Sequence, residues 1–509
     1  MGERGRRARS VWTAAAAAAL GLLVVSTVSA GSIIPTPISN DPYTDGGSGH
    51  QHKTQVEPDS YAHGQTIVAL TQSGRWFGGG GASNLVFSTS QNGGRTWTTG
   101  GLPGTTVNAT PPGPWPRISD PSIAYDPQDD VWLALGLGID GGGSGHILLV
   151  NRSTNGGLTW TNPVNAGEAP GTFWDKTWIT CDTWPQSPHY GNCYIQFDDN
   201  SANNAMRMVT STDGGVTWGP VLSTGCSSGL GGQPVVQPNG NVIVPYSNNG
   251  GAESSFRSTN GGTSWGDCRL IANVQEHPVA ANIRTFSLPS AEVAGDGRVY
   301  VAWQDCRFRA NCPQSNSTND IVYSSSADGL TWSPVTRIPI DPVDSHIDHF
   351  LPGIAVDKNT SGNGTHLAVA YYYFPSGDSC STNTCQLTVG FTSSLDGGAS
   401  WTPGVKIGGP MNVPWIANTN QGYMVGDYIS TSFTGDGQAH PVFSLAKPPD
   451  SGPNGSCYPN NAGCHQRMTS ATFDITLPPP SPRVKTRREP IVRGLHRHPE
   501  DAVEPRTAN

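Results

Sequence analysis

Asp120, Asp175, Lys176, Gln233, Arg284, Asp348, His349, Asp427 and Tyr428 stand at corresponding places in successive stretches of the chain, at the entries to short apolar runs. Carboxylates, cations and a phenol brought to one place are what glycan cleavage requires. One acid protonates the leaving oxygen, a second group attacks or activates water, and the cations orient the sugar. Each aspartate also has a plainer role, because Asp before a strand caps the entering turn through its own backbone. No CxxC pair occurs, which argues against a cysteine zinc site; no metal ligand or cofactor is assigned, and calcium in the Gly/Asp-rich loops is left open.

The elements that must position these residues repeat along the chain. Short apolar runs come in pairs, such as 120–125 with 131–135, 233–236 with 242–246, 288–292 with 299–303 and 351–356 with 367–371. Bounded by Gly, Asn, Asp and Pro, they read as strands. After the runs comes a second repeat, Ser-x-Asp/Asn-x-Gly-x-Thr/Ser-Trp or nearly so. It occurs at 90–97, 153–160, 211–218, 258–265, 326–332 (one residue short) and 394–401. Its tryptophans recur every 63, 58, 47, 67 and 69 residues, each interval suiting one four-stranded blade. The Asp or Asn bonds its own turn, Gly takes the positive φ, and Trp packs beneath, so this repeat is structural. A further pair, 426–430 with 441–445, follows the last repeat.

The chain therefore reads as all-β, a β-propeller of four-stranded blades. Seven blades are expected, with six as the alternative if the closing repeat is split. In such a ring the loops entering the inner strands surround the mouth of the central channel, where the residues named first would meet. Residues 58–477 form the propeller, and 31–57 are able to supply a blade-closing strand. Residues 1–30 read as an export signal, with Arg4, Arg6, Arg7 and Arg9 before an apolar run that ends in Val28-Ser29-Ala30. Residues 478–509 read as a disordered, Pro-rich, basic tail.

The six turns at blade spacing resemble the Asp-box (BNR) repeat. Over 58–477 the layout is similar to that of bacterial exo-α-sialidases in the sialidase superfamily. The resemblance implies three arginines on a substrate carboxylate, a Tyr nucleophile assisted by Glu, and an Asp acid/base. Carried onto this chain, the clamp falls to Arg117, Arg284 and Arg307. Tyr428 is the nucleophile with Tyr423 behind it, Glu292 assists ahead of Glu253 and Glu276, and Asp120 is the acid/base ahead of Asp140. Asp175, Lys176, His349 and Asp427 complete substrate binding, and Trp115, Trp174, Trp184 and Trp415 are candidates for stacking on sugars. Arg117, in Trp-Pro-Arg-Ile-Ser, departs from the family's Phe/Tyr-Arg-Ile-Pro and lies after the first Asp-box instead of before it. Two other classes stay open: a non-catalytic propeller that binds glycans or proteins, and a polysaccharide hydrolase using paired carboxylates among Asp120, Asp175, Asp348 and Asp427.

Ten cysteines fall as near neighbours, 181/193, 226/268, 306/312, 380/385 and 457/464, which suggests local disulfides in an exported protein. The net charge of −9 includes a basic signal and tail; without them 18 basic residues face 33 acidic ones. So acidic a body disfavours nucleic acid, leaving a glycan as the expected partner. No membrane span is expected after signal cleavage, and the oligomeric state is not legible.

Overall fold

The computed structural model describes residues 35–47, 49–314, 316–458 and 463–477. The expected export signal and basic tail lie outside the described residues. What is described is nearly all β, with helix confined to four single-turn 3₁₀ segments.

Among the described residues the strands pair antiparallel in seven successive units of about four, the first two joined through Ala82 and Ile118 into one eight-stranded sheet, with Ala417–Thr419 and Gly422–Met424 forming a separate hairpin. The first comprises His50–His63, Thr66–Trp76, Ala82–Ser90 and Thr98–Gly101. The second comprises Arg117–Asp126, Val131–Ile139, Gly145–Ser153 and Val164–Glu168, and the third Trp174–Cys181, Cys193–Asp199, Ala205–Ser211 and Leu222–Ser223. In the fourth the inner strand is broken into Gly229–Leu230 and Val235–Val236, followed by Val242–Asn248, Ala252–Ser258 and Gly266–Asn273. The fifth holds Ser290–Val293, Val299–Asp305, Asp320–Ser326 and Thr336–Arg337, and the sixth Asp348–Val356, Leu367–Phe374, Gln386–Ser394 and Val405–Asn412. The seventh combines Ser430–Phe433, Gln438–Ala446 and Gln466–Ser470 with Thr36–Pro37, the N-terminal strand, which pairs antiparallel to Gln466–Ser470. Residues 50–57, expected to belong to a closing segment, open the inner strand of the first unit.

Side chains tie neighbouring inner strands together. Asp59 Oδ2 accepts from Ser122 Oγ and Ile123 N, and Ser122 Oγ accepts from Ile179 N. Gln233 Oε1 accepts from Ala291 N, Ser290 Oγ from Ile354 N, and Gly353 O from Thr431 Oγ1. Ser60 Oγ donates to Ser430 Oγ at 3.0 Å, linking the first unit to the last. One cavity is lined from all seven units, by Ser60, Ile123, Ile179, Val235, Ala291, Ile354 and Ser430 among others.

The six repeated turns join the third and fourth strands of their units, at the far side from that cavity. In each, the Ser hydroxyl donates to the Asp or Asn side chain two residues on, as Ser394 does to Asp396, and accepts a Gly N–H. The tryptophans seal the joints between units. Trp160 packs on the cluster shared by units one and two, Trp218 on that of two and three, and Trp401 on that of five and six. All five disulfides pair the near neighbours. Among the described residues no helix is long and apolar enough to cross a membrane.

The joint between the sixth and seventh units rests partly on one phenol. Tyr372, fully buried, donates to Ser444 O at 2.7 Å and accepts from Ser444 N at 2.9 Å. Tyr372→Phe strands both backbone groups and is expected to cost about 2 kcal/mol. A drop in the denaturant midpoint at unchanged slope checks this, and an unchanged midpoint refutes it.

Candidate functional site

Four inner strands carry the same one-residue bulge, between Val56 and Asp59, Ser119 and Ser122, Asp175 and Trp178, and Phe350 and Gly353. At each bulge one residue takes a positive φ: Glu57 at 52°, Asp120 at 50°, Lys176 at 53° and Leu351 at 50°. Proline follows Glu57, Asp120 and Leu351. It has no N–H to give the ladder, so a bulge is where a strand accommodates it. Such backbone conformations cost about 1–3 kcal/mol each and persist only where their surroundings hold them.

Here the surroundings are an ion network lining a cavity of about 140 Å³ at one end of the inner strands. Lys176 Nζ donates to Asp427 Oδ2 and lies 3.7 Å from Glu57 Oε1. Arg284 grips both oxygens of Asp427 with Nε and Nη2. Glu57 accepts from Gln72 Nε2 and from Asp427 N, and its own N–H donates to Val425 O. The backbone N–H of Lys176 donates at once to Asp120 Oδ2 at 2.9 Å and to Asp175 Oδ1 at 3.0 Å. Ser119 Oγ holds the other oxygen of Asp120. Glu57, Asp120 and Asp427 are buried, whereas Asp175 and Arg284 are half-buried and Phe173, Asn420 and Gln421 reach solvent at the rim.

Burial and ion pairing divide the protonation states. Burial raises Glu57 to about 8, against the pull of Lys176, and raises Asp120 to about 6, helped by the Asp175 charge. Asp198, opposite Asp175 across the strand pair, is pushed well above the carboxylate range, by burial and then by Asp175. Asp427 goes the other way: burial works against its charge, but Arg284 and Lys176 outweigh it and hold it well below the usual range. The cavity thus holds one firmly ionised carboxylate and acids whose protons come off near neutral pH.

Of the residues expected at a site, Asp120, Asp175, Lys176 and Arg284 line this cavity, and Asp427 stands behind its wall, paired with Lys176 and Arg284. Arg117 stands at its edge, its Cζ 4.6 Å from the Trp76 ring centre and its Nη1 donating to Gly78 O and Gly80 O. Most of the remaining expected residues stand away from this cavity. Tyr428 lies beneath the network, its hydroxyl donating to Pro121 O at 3.0 Å; burial, then Glu57 and Asp120, push its pKa well up, so it is no ready nucleophile. Glu292 faces Lys358 at a different cavity, towards the opposite end of the inner strands, and cannot assist Tyr428. Arg307 is spent on Asp305 and Asn273 O beside the 306–312 disulfide. His349 is buried against Tyr371 and Tyr373, and burial lowers its pKa to about 4. Asp140 closes its own exposed turn onto Gly142 N and Ser144 N. Among the tryptophans, Trp174 lines the cavity and packs on Phe197, whereas Trp184 donates to Val236 O.

Two members were missed by sequence reasoning. Arg75 is buried in the second strand of the first unit, donating to Trp76 O and Gly81 O, and nothing in its local sequence marks it. Glu57 did carry a signal: Glu57-Pro58-Asp59-Ser60 matches Asp120-Pro121-Ser122-Ile123 in its residue-before-proline bulge. It was hidden because no repeated turn precedes it.

No family model matches the chain. It is 26% identical over 284 residues to a sialidase of Micromonospora viridifaciens, a stretch that is 51% of this chain and 41% of that one. The chain therefore spans about two fifths of that relative's length. Solved structures similar to it include a leech intramolecular trans-sialidase, with 10% identity, 86% of this chain and 70% of that one covered, and a TM-score of 0.45. Another is an α-L-arabinofuranosidase of Fusarium graminearum, with 13% identity, coverage of 88% and 99%, and a TM-score of 0.45.

The raised pKa of Glu57 makes stability depend on pH with a definite sign. Folding favours its protonated form, so this contribution is full below about 4.5 and is lost as pH rises through about 8. Glu57→Gln, an uncharged isostere, is expected to flatten the fall in melting temperature between neutral pH and pH ~9. Equal slopes for the two proteins in that window would show that Glu57 is already ionised.

Proposed function

We propose that this chain is a secreted seven-bladed Asp-box propeller, and that the cavity at Asp120 and Asp175 is the active site of a glycoside hydrolase. The seven units are its blades; the cavity they share and the Ser60–Ser430 bond support a closed ring, with Thr36–Pro37 completing the last blade. The propeller then begins before the boundary at 58 that the sequence suggests. Five disulfides fit an exported protein.

One observation carries the reaction: Asp120 and Asp175 share a single N–H donor. Two oxygens held within 3.0 Å of Lys176 N are at most about 6 Å apart, closer than the ~6.5–9.5 Å that an inverting water needs, which favours a retaining mechanism. Asp120, with its proton leaving near 6, is the acid that protonates the departing oxygen. Asp175, half-buried at the cavity wall, is the carboxylate that attacks the anomeric carbon. Lys176 holds both, and Asp427 and Glu57 hold Lys176.

A second reading, release of a terminal sialic acid, is favoured by the likeness to the Micromonospora sialidase. It requires guanidiniums free to grip a carboxylate. Arg284 is already forked onto Asp427, while Arg75 and Arg117 each turn Nη1 to two backbone carbonyls. The paired-carboxylate reading therefore fits the geometry better.

Release of chromophore from a panel of aryl glycosides, the sialoside included, tests both readings. Asp120→Asn keeps the shape and tolerates the positive φ, and it is expected to lose roughly 10²–10⁴ in kcat/KM, as is Asp175→Asn. Wild-type kcat/KM should fall as pH rises through about 6, where Asp120 gives up its proton. Tyr428→Phe should change the rate little. No release from any glycoside, or a Tyr428→Phe enzyme as dead as Asp120→Asn, would sink the proposal.

A further inference from the structure

Asp45, ahead of the first inner strand, meets His50 and His52 at the start of that strand, and this cluster is outside the cavity just described. His50 and His52 are alternate residues of one extended segment, so both rings point to one side of it. One ligand atom from each of the three lies within 4.8 Å of the others. Three atoms so spaced share a centre at most roughly 2.8 Å away, so movements of under about 1 Å bring them to the ~2.0–2.2 Å of zinc bonds.

The hydrogen bonding leaves these atoms available. His52 Nε2 lies 2.6 Å from Asp45 O, and in the tautomer that donates there Nδ1 carries a lone pair able to ligate. His50 Nδ1, His52 Nδ1 and Asp45 Oδ1 are all buried and make no hydrogen bond. His50 Nδ1 stands 2.8 Å from Asp45 Oδ2. Gly47 packs against the ring of His50, where a Cβ would lie 2.5 Å from Nε2, so the ring is held with Nδ1 towards the aspartate. Asp41, fixed by Tyr43 N and Lys53 N, keeps Oδ2 3.8 Å from His52 Nδ1 as an outer carboxylate.

From this cluster we infer that Asp45, His50 and His52 form a binding site for a divalent transition metal. Two imidazole nitrogens and one carboxylate oxygen suit Zn²⁺, with a fourth position for water. The site's role is to fasten the N-terminal segment to the edge of the cavity. His50 stacks on Trp76 at 3.9 Å, Trp76 carries Arg117, and Arg117 bonds the carbonyls of Gly78 and Gly80 on the cavity loop. The site stands whether or not the cavity cleaves glycans.

Full-length protein, stripped with EDTA and titrated with Zn²⁺ by calorimetry, gives the test. The wild type is expected to bind an equivalent that His50→Ala/His52→Ala lacks, to melt higher with Zn²⁺, and to show visible d–d absorption when loaded with Co²⁺. Asp45→Asn should weaken binding at least about tenfold while its metal-free melting temperature matches the wild type's. If the double variant binds as many equivalents as the wild type, the metal sits elsewhere, for example on His496 and His498, and the inference fails. Binding no tighter than millimolar overturns it too.

Discussion

A single ammonium buried among carboxylates ties the centre of the molecule together. Lys176 belongs to the third unit, Asp427 precedes the inner strand of the seventh, Glu57 lies in the first, and Arg284 comes before the fifth. Removing one partner from such a set leaves a buried charge unpaired, which costs several kcal/mol. The four segments are therefore locked to one arrangement, and through them so are the inner strands. The strained backbone at Glu57, Asp120 and Lys176 follows from this constraint. Their positive φ aims the side chains into the shared space, and the ion pairs hold what the backbone alone would abandon.

Stability and chemistry are separated in space by the same repeat. The outer turns, with their tryptophans, join each unit to its neighbour and carry no charge cluster. The inner bulges break the strand ladder at corresponding places and present Glu57, Asp120 and Lys176 to the cavity. A bulge loses ladder bonds, and the neighbouring strand makes up for the loss, as Asp59 does by accepting from Ser122 and Ile123. The residue at the bulge then varies without disturbing the repeat: Glu57, Asp120, Lys176 and, in the sixth unit, Leu351, where no charge is used.

This division explains what was legible in the sequence. The turns have a local signature, because each makes its bonds within eight residues, and their spacing gave the unit size. Inner-strand positions could be aligned from those turns, so five of the expected site residues do converge. Their partners were not legible. That Arg284 is spent on Asp427, 143 positions away in sequence, and that Arg307 is spent on Asp305 two residues off, are facts of packing which residue type does not reveal. Tyr428 had the right position, but its hydroxyl turns to Pro121 O because the tighter ion network takes the space above it.

The same packing bears on which chemistry the cavity can support. A tyrosine nucleophile is useful where a negatively charged substrate would repel a carboxylate, and it needs free arginines to hold that charge. Here Arg284 is already paired with Asp427, and Asp120 and Glu57 at the wall retain protons that leave near neutral pH. An uncharged sugar meets no such repulsion, so Asp175 can attack directly while Asp120 donates. The Lys176 backbone N–H is the fixed point of this pair: it sets their separation through the bulge in the strand instead of through a flexible side chain. Preorganisation by the backbone costs no rotamer entropy when substrate arrives, and so the strain stored at Lys176 and Asp120 is consistent with a reacting site more than with a passive binding surface.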